Sequence, residues 1–268
     1  MERLHVLGTG NAAVTRCYNT CFAVETQDEY ILCDAGGGNG ILRQLKAAGI
    51  GLDRIHHFIL THAHCDHLLG AVWLIRMIGT AMNNGKYEGD WHIYCHETVA
   101  EGLRMMAKLM LPGKICALFD GRIQLHRIED GTEALMLGHR VRFFDILSTK
   151  MLQFGFTLPL ADNRLLCCLG DEPYNPECSA PIHQADWVLS EAFCLYGDQE
   201  RFKPYEKHHS TVLDAAKLAQ QHNIPHLVLW HTEDATLDNR KQLYTAEARQ
   251  AYQGDLYVPD DLEVIDLI

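Results

Sequence analysis

Apolar positions along the chain follow two rhythms. Short, nearly continuous apolar runs at Leu4 to Gly8, Thr20 to Glu25 and Tyr30 to Cys33 predict strands, whereas Leu42, Leu45 and Ala48, followed by Gly49, predict a helix near Ile41 to Ala48. A buried strand is expected at Phe58-Ile59-Leu60, then a helix over Leu68 to Ile78, a strand over Trp91 to Cys95, and a helix over Thr98 to Leu111 closed by Pro112-Gly113. The middle of the chain is strand-rich, with runs at Val141 to Leu147, Phe154 to Leu160, Arg164 to Leu169 and Trp187 to Leu189. Alternation then returns: a helix from Val212 to Gln221, a strand from His226 to Trp230, a helix around Asn239 to Tyr252 and a last strand from Leu262 to Leu267. Strands that meet helices in both halves predict two sheets packed face to face with helices outside. No Pro/Gly/Ser-rich linker or long repeat interrupts the pattern, so residues 1–268 are expected to form one domain.

Composition narrows the class. With 47% apolar and 22% charged residues the chain resembles a soluble globular protein, and no apolar run reaches the roughly 18 residues that span a bilayer. The net charge of −12 repels a phosphate backbone, which disfavours generic nucleic-acid binding. The opening residues pass straight into a strand-like run without a secretory pattern, so a cytoplasmic location is expected, with no membrane partner. Ten cysteines are scattered without a Cys-x-x-Cys pair, which fits reduced, mostly buried thiols.

Sixteen histidines raise the question of a site, and their positions answer it. Residues 61 to 70 read Thr61-His62-Ala63-His64-Cys65-Asp66-His67-Leu68-Leu69-Gly70, directly after a buried strand. Two histidines at i and i+2 on extended backbone point to one side, and Asp66 and His67 at the following helix start can turn back toward them. Helix capping would account for Asp66 and leave three imidazoles without a role. A set of imidazole and carboxylate without thiolate suits zinc, with manganese or iron as alternatives. Cys65 should alternate away from its histidine neighbours and pack.

The motif Thr-His-x-His-x-Asp-His-x-x-Gly resembles the signature of the metallo-β-lactamase superfamily, and Leu7-Gly8-Thr9-Gly10 with the Arg16 to Ala23 stretch resembles the opening of its ribonuclease Z and phosphodiesterase branch. That resemblance implies an α+β fold, a four-layer αββα sandwich of two facing mixed sheets, and a hydrolase holding one or two divalent ions. It implies metal ligation by His62, His64, Asp66, His67, Asp171 and His231, with Asp171 bridging two ions. Asp34 in Leu32-Cys33-Asp34-Ala35-Gly36 would orient the histidine cluster, as metal-bound imidazoles require. His209, in His208-His209-Ser210-Thr211 ahead of a helix capped by Thr211 and Asp214, would stabilise charge or protonate the leaving oxygen. Asp66 would orient the attacking hydroxide.

One position departs from the pattern. The resemblance calls for a further histidine ahead of Gly155-Phe156, within Leu147 to Thr149, and none is there. Neither an alkyl group nor a neutral hydroxyl replaces imidazole on zinc, so one of two ions would be under-coordinated, unless water or Asp145 fills the gap. The expected activity is hydrolysis of a small or short phosphodiester by a metal-bound hydroxide. The alternative is a metal-binding but catalytically weak relative that serves ligand or partner binding. Transfer RNA is disfavoured, because no Gly/Pro-rich basic arm is visible; Arg201 to Lys207 is the densest basic-aromatic stretch. A homodimer is left open.

Overall fold

The computed structural model describes residues 2–268. Its strands are β1 (Arg3–Gly8), β2 (Cys21–Thr26), β3 (Glu29–Cys33), β4 (Ile55–Ile59), β5 (Trp91–Cys95), β6 (Ile123–Arg127), β7 (Glu133–Met136), β8 (His139–Asp145), β9 (Phe154–Pro159), β10 (Leu165–Cys168), β11 (Trp187–Glu191), β12 (His226–Trp230), β13 (Asp255–Tyr257) and β14 (Val264–Asp266). The helices are α1 (Gly40–Ala47), α2 (Cys65–Asn83), α3 (Glu97–Met110), α4 (Gly113–Cys116), α5 (Gln199–Phe202), α6 (Val212–Gln221) and α7 (Arg240–Ala248). Two seven-stranded sheets result, ordered β14-β1-β2-β3-β4-β5-β6 and β13-β12-β11-β10-β9-β8-β7. Each is antiparallel on one side and parallel on the other, with β3 to β6 parallel in the first and β10 to β13 parallel in the second.

Three apolar layers hold this sandwich together. Phe22, Val24, Ile31, Phe143, Phe156 and Trp187 fill the space between the sheets. Opposite strand positions such as Leu32, Phe58, Trp91 and Ile93 face the α1 to α3 side, and Val188, Leu227 and Leu229 pack with Ala215, Ala216 and Tyr244 of α6 and α7. The period of two along each strand therefore feeds two cores at once, which is why β2, β3 and β12 read as apolar on both faces. The αββα sandwich expected from the motif is the observed fold.

Expected elements recur with small boundary differences. The helix foreseen over Leu68 to Ile78 extends to Cys65–Asn83, and the one foreseen to Tyr252 ends at Ala248. The sequence reading omitted β6, β7 and β13 because they are short or only half-buried, with weak alternation. The cysteines are free and six of the ten are buried; Cys65, expected to pack, is instead exposed on the first turn of α2. No helix among the described residues is long and apolar enough to cross a membrane.

Gly70 sets how closely α2 approaches the end of β3. A Cβ built there would lie 1.9 Å from the carbonyl oxygen of Ala35, and the Gly70 N–H donates to Gly36 O at 2.9 Å. The obstruction is backbone, so Gly70→Ala must displace the helix; a loss of about 2–3 kcal/mol is expected by denaturant unfolding, and an unchanged midpoint would contradict this packing.

His57, His92 and His126 stand on the inner face of β4, β5 and β6, with His57 and His92 stacked at 5.4 Å. Burial, with the neighbouring rings of His92, His56 and His126, pushes the His57 pKa down to about 4. Its neutral form is favoured in the fold, so this contribution is complete above the unfolded value near 6.5 and is lost as pH falls toward 4. Unfolding midpoints measured between pH 7 and 4 should fall less in His57→Gln than in the parent; equal slopes would contradict the assignment.

Candidate metal centre

The centre lies where parallel strands of both sheets end. Asp34 follows β3, residues 61–67 follow β4, Asp171 follows β10, Glu191 ends β11 and His231 follows β12. Carboxyl ends of parallel strands are where open sheets place ligands, because loops there converge from neighbouring strands. The two sheets are tied across this edge: Asn11 N–H donates to Thr232 O, Thr232 N–H to Thr9 O, both at 2.9 Å, and Phe154 N–H to Thr61 O at 3.2 Å. Asp34 and His231 both sit at φ +55°, a conformation non-glycine residues rarely adopt and one common where a site fixes the backbone.

One donor set is Asp66, His67 and His231, all buried, with buried Asp171 beside both of its histidines. His67 Nε2 lies 3.5 Å from Asp66 Oδ2 and 3.5 Å from Asp171 Oδ2, and His231 Nε2 lies 3.5 Å from the same two oxygens. Tetrahedral zinc with bonds of 2.0–2.1 Å has ligand-to-ligand edges of about 3.3–3.4 Å, so these spacings suit such an ion. Neither ring nitrogen has a hydrogen-bond partner in the protein, which would be costly for buried polar atoms unless something else engages them. The donor chemistry fits a divalent cation.

Asp34 prepares this set. Its Oδ1 accepts from Thr61 N–H at 2.9 Å, and its Oδ2 accepts from Thr61 Oγ1–H at 2.8 Å and from His67 Nδ1–H at 2.7 Å, so the neutral His67 ring would turn its Nε2 lone pair to the centre. Burial opposes a charged His67, but the carboxylates of Asp34, Asp171 and Asp66 hold its pKa well above the ordinary value. Burial likewise opposes ionising Asp66 and Asp171, yet the facing rings of His67 and His231, with His62 for Asp171, hold both carboxylates well below their usual range.

The second set is His62, His64 and Asp171. Asp171 Oδ2 is 3.6 Å from His62 Nε2 and 4.0 Å from His64 Nδ1, whereas the two ring nitrogens are only 2.8 Å apart. Burial pushes the His62 pKa well below its ordinary value, and pulls down half-exposed His64 as well.

The stretch expected to carry a further ligand turns away. Leu147 is partly exposed, Ser148 Oγ donates to Glu172 at 2.7 Å, and Thr149 Oγ1 meets His208 Nδ1 at 3.1 Å. Asp145, considered as a substitute, accepts from the Leu147 N–H at 2.8 Å and so ties its own loop. The residue that reaches the centre is Gln153, buried beside His62 and Asp171, a polar side chain in a loop with no sequence signal to mark it.

His209 is buried with its ring stacked on Phe193 at 4.8 Å and 5.1 Å from the His231 ring. The Thr211–Asp214 capping box fixes the following helix, as its spacing predicts. Glu191, which the sequence reading missed, accepts from Ser210 N–H through Oε1 at 2.5 Å and sets Oε2 3.6 Å from His209 Nδ1. An acidic residue ending an apolar strand, the same pattern that marks Asp34 and Asp171, could have flagged it. The centre opens into a cleft of about 470 Å³ lined by Asn11, His64, Asp66, Asp171, His209 and His231, with Lys150, Lys207 and Phe193 around it.

A family model described as anti-Pycsar protein Apyc1 matches residues 2–250. The chain belongs to that family. It is a hydrolase of the metallo-β-lactamase superfamily, on the ribonuclease Z-like side. A ribonuclease Z of Myxococcus xanthus is 27% identical over 99% of this chain and 97% of its own length. Among solved structures, the metallo-β-lactamase fold protein YhfI of Bacillus subtilis has a TM-score of 0.77 at 17% identity, covering 98% of both chains. The human short-form tRNase Z has a TM-score of 0.74 at 19% identity, covering 99% of both. The last two are likenesses of fold.

Asp34→Asn preserves an acceptor for Thr61 N–H and tolerates positive φ, but presents an NH₂ to His67 Nδ1 and so reverses that ring's tautomer. Zinc affinity measured by competition with a chelating dye should fall at least about 10–100-fold with the far-ultraviolet circular dichroism unchanged. Parent-like affinity would refute the orienting role.

Proposed function

We propose that this chain is a metal-dependent phosphodiesterase acting on a small or short substrate. The observation that carries the reading is the convergence of Asp66, His67, Asp171 and His231 at 3.5 Å spacings beneath a cleft that also presents His209 and two lysines. Asp66, His67, Asp171 and His231 hold the cation; His62 and His64 border it. Zinc fits this donor set best, with manganese or iron as substitutes. A bound divalent cation supplies Lewis acidity and lowers the pKa of water toward neutrality.

The protein's own groups account for the rest. Lys150 and Lys207 line the cleft and offer positive charge to a phosphate in a chain of net charge −12. His209, held by the Phe193 ring and Glu191, lines the cleft with its ring 5.1 Å from that of His231 and is placed to donate a proton to the departing oxygen. Glu191, with Oε2 3.6 Å from His209 Nδ1, keeps the His209 ring in position. Asp66 Oδ2, within 3.5 Å of both His67 and His231, also orients the attacking water.

The cleft of about 470 Å³ suits a compact ligand. Of the stretch Arg201 to Lys207, Lys207 lines the cleft, while Lys203 is engaged by Glu200 and Glu206. We therefore place transfer RNA outside the substrate range.

Bis(p-nitrophenyl) phosphate should be hydrolysed by the zinc-loaded protein and not after chelation. His67→Ala should lower the rate at least about 100-fold, and His209→Ala should lower kcat by about 10²–10⁴-fold with zinc retained. Turnover that survives His67→Ala would refute the reading. Salt-sensitive transfer-RNA binding at low salt would refute the substrate assignment.

A further inference from the structure

We infer that the outer faces of α2 and α3 form the interface of a homodimer, in which two copies of α3 cross antiparallel about a two-fold axis at Met105.

Both helices lie on the outside of the sandwich, where one side of a helix is expected to be polar and face water. α3 buries Val99, Leu103 and Ala107, yet its opposite side exposes Met105 at 72% and Leu109 at 79%, with Met110 at 55% beside them. Beyond its first turn α2 has a single charged side chain, Arg76, and its outer side presents Leu69, Trp73 and Met77 at i, i+4 and i+8. The two faces are continuous, because Leu69 and Trp73 wall a hollow of about 240 Å³ together with Met110 and Leu111. The six exposed side chains present roughly 700 Å², above the ~300–600 Å² of the largest apolar patch on a typical monomer. Each partner in a stable interface gives up about 800 Å², so this face with its rim is large enough for one.

The chain itself is the occupant that fits. At a net charge of −12 two copies repel except where acidic groups are sparse, and the outer side of α2 is such a place. The charges that α3 adds are self-complementary. Glu101, Met105 and Lys108 share one side of the helix at i, i+4 and i+7. Arg104 pairs with Asp120 and Glu97 with Arg127, whereas Glu101 and Lys108, both exposed, have no ion-pair partner among the described residues. A two-fold axis through Met105 with the helices antiparallel sets Glu101 of each copy opposite Lys108 of the other; a parallel crossing would set like charges together. Leu109 and Met110 turn toward the α2 flank and Glu101 and Lys108 toward the far one, which gives an apolar centre and a charged rim.

Sedimentation equilibrium of the full chain over about 1–100 μM should return twice the chain mass, falling on dilution. Leu109→Glu should raise the dimer dissociation constant at least about 100-fold with the circular dichroism unchanged. Glu101→Lys and Lys108→Glu should each raise it about 10-fold, because each sets two pairs of like charges face to face, and the double variant should return to within about threefold of the parent. A monomer at about 100 μM, a dimer indifferent to Leu109→Glu, or a double variant no tighter than either single one would overturn the inference. A monomer that sediments with phosphatidylglycerol vesicles would overturn it as well and assign the face to a membrane surface. The metal-dependent reading stands under each of these outcomes.

Discussion

A single buried oxygen organises this molecule. Asp171 Oδ2 lies within 4.0 Å of ring nitrogens from His62, His64, His67 and His231, residues contributed by both sheets. An ionised carboxylate in such a place is costly unless positive charge or strong donors surround it. The fold supplies them by ending β4, β10 and β12 at one edge and tying the edge together with backbone hydrogen bonds. Gly70, by letting α2 close on the Ala35 carbonyl, brings Asp66 and His67 within range of that oxygen.

Around Asp171 buried polar partners set how the histidine rings face the centre. A neutral histidine ring presents a lone pair at one nitrogen while the other carries the proton, and an acceptor beside that other nitrogen holds it so. Asp34 is such an acceptor for His67, and the outer nitrogen of His62 is met at 2.9 Å by both Gln153 Nε2 and Thr61 Oγ1. Glu191 extends the logic to His209, beyond the metal ligands.

Much of this was legible in the residues. The density of Thr61 to Gly70 after an apolar strand identified the cluster, and Asp34, Asp171 and His231 were recognisable as polar residues ending apolar runs. Those runs are apolar because both sheet faces are buried, so their ends stand out sharply. The half-buried edge strands β6, β7 and β13 carry no such contrast and were missed. Gln153 was invisible for another reason: its role depends on the loop after β8 turning Ser148 and Thr149 outward, and on which end of an amide faces a neighbour. Nothing in local spacing encodes either fact. Glu191 obeys the strand-end pattern but lies far in sequence from the histidine-rich motif.

The most direct test of the central claim is anomalous diffraction at the zinc edge from crystals of the chain loaded with one equivalent of zinc. The account predicts a single ion about 2.0–2.2 Å from donor atoms of Asp66, His67, Asp171 and His231. An ion elsewhere, or the imidazoles of His67 and His231 turned away from Asp171, would contradict it.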